Sequence, residues 1–298
     1  MPKNLIGIHA GVLVRDWSQD SAEYAVRESV NAGFDLIEIP AGEANEIDVV
    51  QTRRLLSDSG MTGVFSLALP AHADINSEDQ DTVGRGKVML EDAVKLAAAA
   101  GSTYVGGVLY SKMGKYDRPS SARARENSKV TLRAVAAQAQ ADGITLGLEF
   151  VNRYESNLLN TAQQTVDFIH EIAADNLVVH IDTFHVNTEE PDQVTPVRIA
   201  GTLLGYIHAG ESHRGYLGSG SIDWPSLFKA LVASEYSGPI TFESFSGAVL
   251  DSDLAHTLGL WRDPWADPSA AARHARTFIA TQMQAAEQSV PLASISNK

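Results

Sequence analysis

Val178-Val179-His180-Ile181-Asp182-Thr183-Phe184-His185-Val186-Asn187 is the stretch on which the reading of the fold turns. Apolar and β-branched residues run into an acid, and a histidine follows three positions later. Such a run suits a strand buried on both faces of a parallel sheet. Asp182 then falls near the carboxyl end of the strand, with His185 in the loop just beyond. Parallel α/β folds grip their ligands at that end. Taken alone, the acid reads equally well as the cap of a following helix, and the histidine as a surface residue. The flanking pattern decides between them.

Outward from this stretch, short β runs alternate with longer helical ones. Strands are expected over 5–12, 35–40, 62–69, 104–110, 145–151, 177–182, 204–209 and 239–245. Helices are expected over 21–31, 47–59, 78–100, 120–141, 161–173, 193–202, 224–234 and 270–286, with Gly33, Gly60 and Gly101 as terminators. Eight βα units of about 30 residues predict an α/β fold, a single (β/α)8 TIM barrel. No Gly/Ser linker or composition shift divides the chain. The barrel is expected to occupy residues 1–288, and the small, polar residues 289–298 to form a loose tail.

Composition narrows the function classes. The 298 residues are 44% hydrophobic, enough for a full core, and carry a net charge of -14 from 23 Lys+Arg against 37 Asp+Glu. That balance argues against nucleic acid, anionic membranes and phosphorylated substrates. There is no cysteine, hence no disulfide frame, thiolate metal site or cysteine nucleophile. The N-terminus lacks a signal peptide's apolar core, and no apolar stretch reaches the roughly 20 residues that span a bilayer. The expected compartment is the cytoplasm.

Four strand ends carry chemistry. Glu149 lies near the end of the fifth expected strand, Asp182 of the sixth, His208 of the seventh and Glu243 of the eighth. They are 33, 26 and 35 residues apart, each about one βα unit. Neighbouring strands lie about 4.8 Å apart, so four residues at equivalent heights on consecutive strands converge. Each alone reads as a helix cap, an ion-pair partner or a satisfied core histidine; all four together point to a metal site. Three carboxylates and one imidazole are an oxygen-rich set that suits Mn2+, Mg2+ or Co2+ better than structural zinc. Glu155, His185, Asn187 and Arg214 lie close by in sequence, and the Arg214 fork can bind a planar carbonyl or diol. The glycine-rich run 215–220 fits no phosphate-binding spacing and reads as a flexible loop.

The segments Glu149-Phe150-Val151-Asn152-Arg153-Tyr154-Glu155, Asp182-Thr183-Phe184-His185, His208-Ala209-Gly210-Glu211-Ser212 and Trp261-Arg262-Asp263 carry a family resemblance. The chain resembles the ketose 3-epimerases of the D-tagatose/D-allulose and L-ribulose group, within the xylose-isomerase-like barrels, from Gly7 to about Ile279. The resemblance implies that Glu149, Asp182, His208 and Glu243 bind a divalent metal, usually Mn2+, and that Glu149 and Glu243 are the paired acid and base. It assigns Glu155, His185, Arg214 and Phe245 to the sugar's carbonyl end. Ser66 and Met113, the latter where the family usually has a tryptophan, complete the expected substrate contacts. The first strand also departs from the pattern, with His9-Ala10-Gly11-Val12-Leu13 in place of aromatic residues, and Phe242-Glu243-Ser244-Phe245 stands for Met-Glu-Pro-Phe.

The implied reaction is metal-dependent inversion at C3 of a free ketose. One carboxylate removes the proton alpha to the C2 carbonyl, a cis-enediolate forms, and the other carboxylate returns a proton to the opposite face. A homodimer or homotetramer is the implied assembly. The same barrel and metal would serve an aldose–ketose isomerase, which moves hydrogen between C1 and C2 instead. An endonuclease-like hydrolase would need more histidines and a basic groove. A barrel that binds sugar without turning it over would not need both glutamates.

Overall fold

Strands buried on both faces must be apolar outward toward the helices and tolerant of packing inward, and this chain meets both needs by alternation. The computed structural model describes residues 4–42, 44–250 and 252–289. Eight strands, each hydrogen-bonded in parallel to its neighbours, close in sequence order: β1 (Ile6–His9), β2 (Leu36–Pro40), β3 (Thr62–Ser66), β4 (Tyr104–Gly107), β5 (Thr145–Glu149), β6 (Leu177–Asp182), β7 (Leu204–Ala209) and β8 (Ile240–Phe242). The helices are α1 (Gln19–Ala32), α2 (Val49–Ser59), α3 (Gln80–Ala100), α4 (Ala122–Ala141), α5 (Ala162–Ile172), α6 (Thr183–Glu189), α7 (Thr195–Ala200), α8 (Trp224–Ala233), α9 (Ser252–Thr257) and α10 (Pro268–Ser289). The barrel expectation is met. The expected tail, apart from Ser289, lies outside the described residues.

Several expected strands stop short. β1 ends at His9 because its imidazole Nδ1 accepts the Gly11 N–H and turns the chain into a 3-10 turn over Ala10–Val12. β4 ends at Gly107, whose φ of 109° no ordinary side chain adopts and where a Cβ would stand 2.5 Å from the Leu67 carbonyl oxygen. Beyond these ends Leu69, Leu109, Tyr110, Phe150 and Val151 remain buried, but under loops instead of in the sheet.

The loop expected to hold His185 is the helix α6. Asp182 caps it, its Oδ1 accepting the Phe184 N–H at 2.9 Å. The helix expected over 193–202 is α7 followed by a 3-10 turn. Nor is the glycine-rich run left loose: Glu211, buried, accepts the N–H groups of Ser212 and Gly218 at 2.8 Å and the Trp224 indole N–H at 3.0 Å. α8 and α10 meet behind it, with the Trp224 and Phe278 rings 5.5 Å apart.

Inside the barrel the inward positions form layers. Tyr104 and Tyr206 stack at 4.6 Å near the bottom, in one cluster with Leu36 and Val64. Tyr104 has room because β5 presents Gly147 there, where a Cβ would lie 1.9 Å from the tyrosine oxygen. Two residues further up their strands, Glu38, Glu149, His208 and Glu243 stand in line with Leu36, Gly147, Tyr206 and Thr241. The apolar plug therefore gives way to a polar layer at the carboxyl-terminal mouth.

Candidate metal and acid–base site

The four expected ligands do converge. Glu149, Asp182, His208 and Glu243 are buried, and one ligand atom from each lies within 4.8 Å of every other. Two opposed bonds of about 2.1 Å span about 4.2 Å, so closing around one ion asks for shifts of a few tenths of an ångström. His208 Nδ1 is the hub, 3.3 Å from Glu149 Oε1 and 3.4 Å from Glu243 Oε1. Asp182 Oδ2 lies 2.8 Å from Arg214 Nη1 as an ion pair but accepts no hydrogen bond. A buried carboxylate oxygen left in that condition, beside three further ligand groups without sulfur, fits a hard divalent cation.

Arg214 is drawn deep into the site. Its Nη1 donates to Glu243 Oε2 at 2.8 Å, and its guanidinium carbon stands 4.0 Å from the centre of the Phe184 ring and 5.3 Å from that of Phe245. Gly210 leaves the path open, since a Cβ there would lie 2.8 Å from both Arg214 Nη1 and Asp182 Oδ1. Arg214 occupies the left-handed region at φ 57°, held at one end by its N–H to Glu211 O and at the other by the Ser244 hydroxyl donating to Arg214 O. Backbone strain fixed from both sides is typical of functional positions.

His185 is poised as a donor. Its Nδ1 faces the Asn152 backbone N–H at 3.2 Å, which can only donate, so the imidazole proton sits on Nε2. That nitrogen is 3.7 Å from Asp182 Oδ2, 3.9 Å from Glu155 Oε2 and 4.0 Å from Glu149 Oε1. Burial, reinforced by Arg214, holds His185 well below the usual imidazole range and keeps it neutral. Glu155 is fixed by Asn152, whose Nδ2 donates to its Oε1 at 2.8 Å.

The carboxylates differ in their environments. Burial pushes Glu149 up to about 8, with the charges of Glu243 and Asp182 adding to the rise against the pull of His208. Asp182 is raised to about 6, by burial first and then by Glu243, with Arg214 opposing. Burial would raise Glu243 too, but His208, Arg214 and His9 together bring it below the usual carboxylate range. The two expected acid/base residues are thus pushed apart, the pattern of an acid paired with a base. A divalent charge among them would lower both.

A cavity of about 510 Å³ adjoins the cluster, reaching it through His9 and Phe245 and lined also by Val14, Trp17, Ile47 and Leu250. The His9 and Phe245 rings meet edge to face at 5.4 Å, and Ser66 Oγ lies 3.4 Å from His9 Nε2. Ser66 thus reaches the site through His9 and is not itself part of the cavity lining. Met113 packs against the apolar core, its N–H bound to Leu69 O.

Three neighbours of the site were not singled out from the sequence as functional. Phe184 lies beneath Arg214. His9 abuts both cluster and cavity. Glu38, on β2, is wholly buried and its Oε2 meets His208 Nε2 at 2.8 Å. The available signal for Glu38 was an acid flanked by Ile37 and Ile39 in a strand with no face toward water. The charge of His208 and its hydrogen bond bring Glu38 well below the usual range despite the opposing effect of burial.

Comparisons with known proteins identify the family. Residues 26–282 match the family model described as xylose isomerase-like TIM barrel. The ketose 3-epimerase of Arthrobacter globiformis is 41% identical over 94% of this chain and 97% of its own length. The L-ribulose 3-epimerase of Mesorhizobium japonicum is 39% identical over 98% of this chain and 99% of its own. The crystal structure of D-allulose 3-epimerase from Methylomonas sp. in complex with D-allulose is 40% identical, covers 95% of this chain and 98% of that one, and superposes with a TM-score of 0.92. The chain belongs to the xylose isomerase-like TIM barrel family and, within it, to the ketose 3-epimerases.

Proposed function

We propose that this protein interconverts free ketoses by inversion at C3, using one divalent ion, Mn2+ in preference to Co2+ or Mg2+. The observation that carries the reading is the placement of Glu149 and Glu243. They approach the same His208 nitrogen at 3.3 and 3.4 Å from β5 and β8, which stand on either side of β6 and β7. Two carboxylates flanking one centre are what removal and return of a proton on opposite faces of a carbon require.

Glu149, Asp182, His208 and Glu243 would hold the ion, which when bound supplies Lewis-acid polarisation of the ketone and its neighbouring hydroxyl. In one direction one glutamate takes the C3 proton to give the cis-enediolate and the other delivers a proton to the opposite face; in reverse their roles exchange. Arg214 and the Nε2–H of His185 are donors for the C1–C2 end. Glu155 accepts a hydroxyl hydrogen bond. Phe245 forms the wall toward the cavity with His9, which Ser66 meets, and the family likeness makes Met113 an outer contact.

The substrate is assigned as unphosphorylated. Arg15, the cation lining the cavity, is already paired with Asp16 at 3.4 Å, and Arg214 is shared between two carboxylates. The preferred ketose is of the D-allulose, D-fructose, D-tagatose or L-ribulose type. No helix among the described residues is long and apolar enough to cross a membrane. A cytoplasmic homodimer or homotetramer is proposed from the family likeness, and sedimentation tests the assembly.

The decisive experiment strips the ion, restores Mn2+, and separates the products from a panel of ketoses by chromatography. A second ketose, with deuterium entering C3 from D2O, is expected. An aldose product would make the enzyme an aldose–ketose isomerase instead.

A further inference from the structure

We propose that Glu38 is the positioning residue for His208, fixing which imidazole nitrogen is offered to the metal; this rests on the reading of the site given above. Glu38 reaches across the barrel interior from β2 to β7 and places Oε2 at 2.8 Å from His208 Nε2. The other nitrogen, Nδ1, faces Glu149 and Glu243. A neutral imidazole has one N–H and one lone pair, and an ionised carboxylate can only accept. Glu38 therefore draws the proton to Nε2 and leaves the Nδ1 lone pair pointing into the ligand set. It also fixes the rotation of the ring, since it holds the end opposite the metal.

No other described neighbour can do this. The rings of His180, Tyr206 and His9 meet His208 edge-on at centroid distances of 4.1, 5.6 and 6.3 Å, and none is hydrogen-bonded to it. A role in stability alone is a poor account of Glu38. Its Oε1 is buried and accepts no hydrogen bond, and a buried carboxylate with one oxygen unsatisfied costs more than an apolar side chain in the same space. Leu36, two residues before it on the same face, shows what β2 otherwise places inside the barrel.

The test does not depend on turnover. Long-range 1H–15N spectra of the metal-free protein, recorded at a pH high enough for His208 to be neutral, should show it as the Nε2–H form in the wild type and as a mixture in Glu38→Ala. Mn2+ binding, followed by the loss of its free-ion electron paramagnetic resonance signal, should weaken about 10- to 100-fold in Glu38→Ala. Glu38→Gln retains an acceptor oxygen and should weaken it less. The visible bands of the Co2+-loaded protein should shift in both variants. Circular dichroism establishes folding, and if Glu38→Ala fails to fold, Glu38→Gln decides. A folded variant that binds Mn2+ like the wild type, with unchanged Co2+ bands and an unchanged His208 tautomer, overturns the proposal. If the wild type itself takes up no divalent ion, the metal reading fails instead, while the tautomer spectrum still decides whether Glu38 orders His208.

Discussion

Arg214 donates to Glu243 across 2.8 Å from a backbone held at φ 57°, and the same Nη1 sits 2.8 Å from Asp182. One guanidinium thus braces the proposed base and a proposed metal ligand from strands two apart in the barrel, with Phe184 packed against its face. Lysine offers a point charge in place of that planar fork. Arg214→Lys is expected to fold and to bind the ion, yet to lose about 100-fold in kcat/KM, about 2.7 kcal/mol of transition-state stabilisation. Steady-state kinetics with a saturating ion measure it; a loss below threefold would mean that the brace does not act in the reaction.

Glu243→Gln removes a proton acceptor without changing shape. Both oxygens of Glu243 are in use, Oε1 beside His208 and Oε2 on Arg214. The amide oxygen can take one of these places, so sugar binding should survive. Removing general-base assistance costs typically 10²–10⁴ in rate. Exchange of the C3 hydrogen with D2O, followed by NMR, should fall by that amount. Exchange at the wild-type rate would take Glu243 out of the proton path.

How far this was legible in the sequence depends on which physical signal each feature leaves. The eight strands were legible because burial on both faces leaves continuous apolar runs, and the convergence of Glu149, Asp182, His208 and Glu243 because they recur one βα unit apart. Strand ends were less so: Leu69, Tyr110 and Phe150 are as buried beneath loops as residues within the sheet, and burial alone does not tell the two apart. α6 escaped because seven residues hold too few turns to leave a helical period, and its cap, Asp182, also serves the site. Glu38 and His9 left only a polar residue in an apolar strand. The partner that explains Glu38 is 170 residues away, and only the closed barrel brings the two together.

The metal-free protein should lose stability as pH rises. Glu149 and Asp182 titrate near 8 and 6 in the fold, above an unfolded carboxyl near 4. A raised folded value means that the native state binds more protons than the unfolded one between the two values. Stability therefore falls with pH from about 6.5 to 8; below that range His9, His180 and His185, lowered by burial, act in the opposite direction. His208, also raised by Glu243, Glu38 and Glu149 in spite of burial, acts in the same direction as the two carboxylates above its unfolded value. A bound divalent ion replaces those protons, and its binding should tighten with pH and release protons. Thermal melts at pH 7 and 8, where His9, His180 and His185 are neutral in both states, are expected to show a lower Tm at the higher pH without the ion, and a smaller or reversed difference with Mn2+. Equal melts in the metal-free form would remove the electrostatic argument.

Glu211 makes a prediction about the loop that carries Arg214. It follows His208 by three residues and is fully buried, yet its partners are the Ser212 and Gly218 N–H groups and the Trp224 indole. Those donors hold its carboxyl below the usual range although burial opposes them, so its contribution is present above an unfolded value near 4.3 and fades as pH falls below it. Glu211→Ala leaves the buried Trp224 indole N–H without a partner and frees the more accessible Ser212 and Gly218 N–H groups, at no more than about 3 kcal/mol together. In a domain of this size, that total should lower Tm by no more than about 6–12 °C. Glu211→Gln keeps one acceptor and should lose roughly half as much. Because the Arg214 N–H is held by the Glu211 carbonyl, freeing this segment should also let Arg214 leave its left-handed conformation, and kcat/KM should fall together with Tm. Faster hydrogen exchange at the Gly218 amide would locate the loosening. If Tm falls but both that exchange and the kinetics are unchanged, Glu211 supports the barrel wall and not the loop.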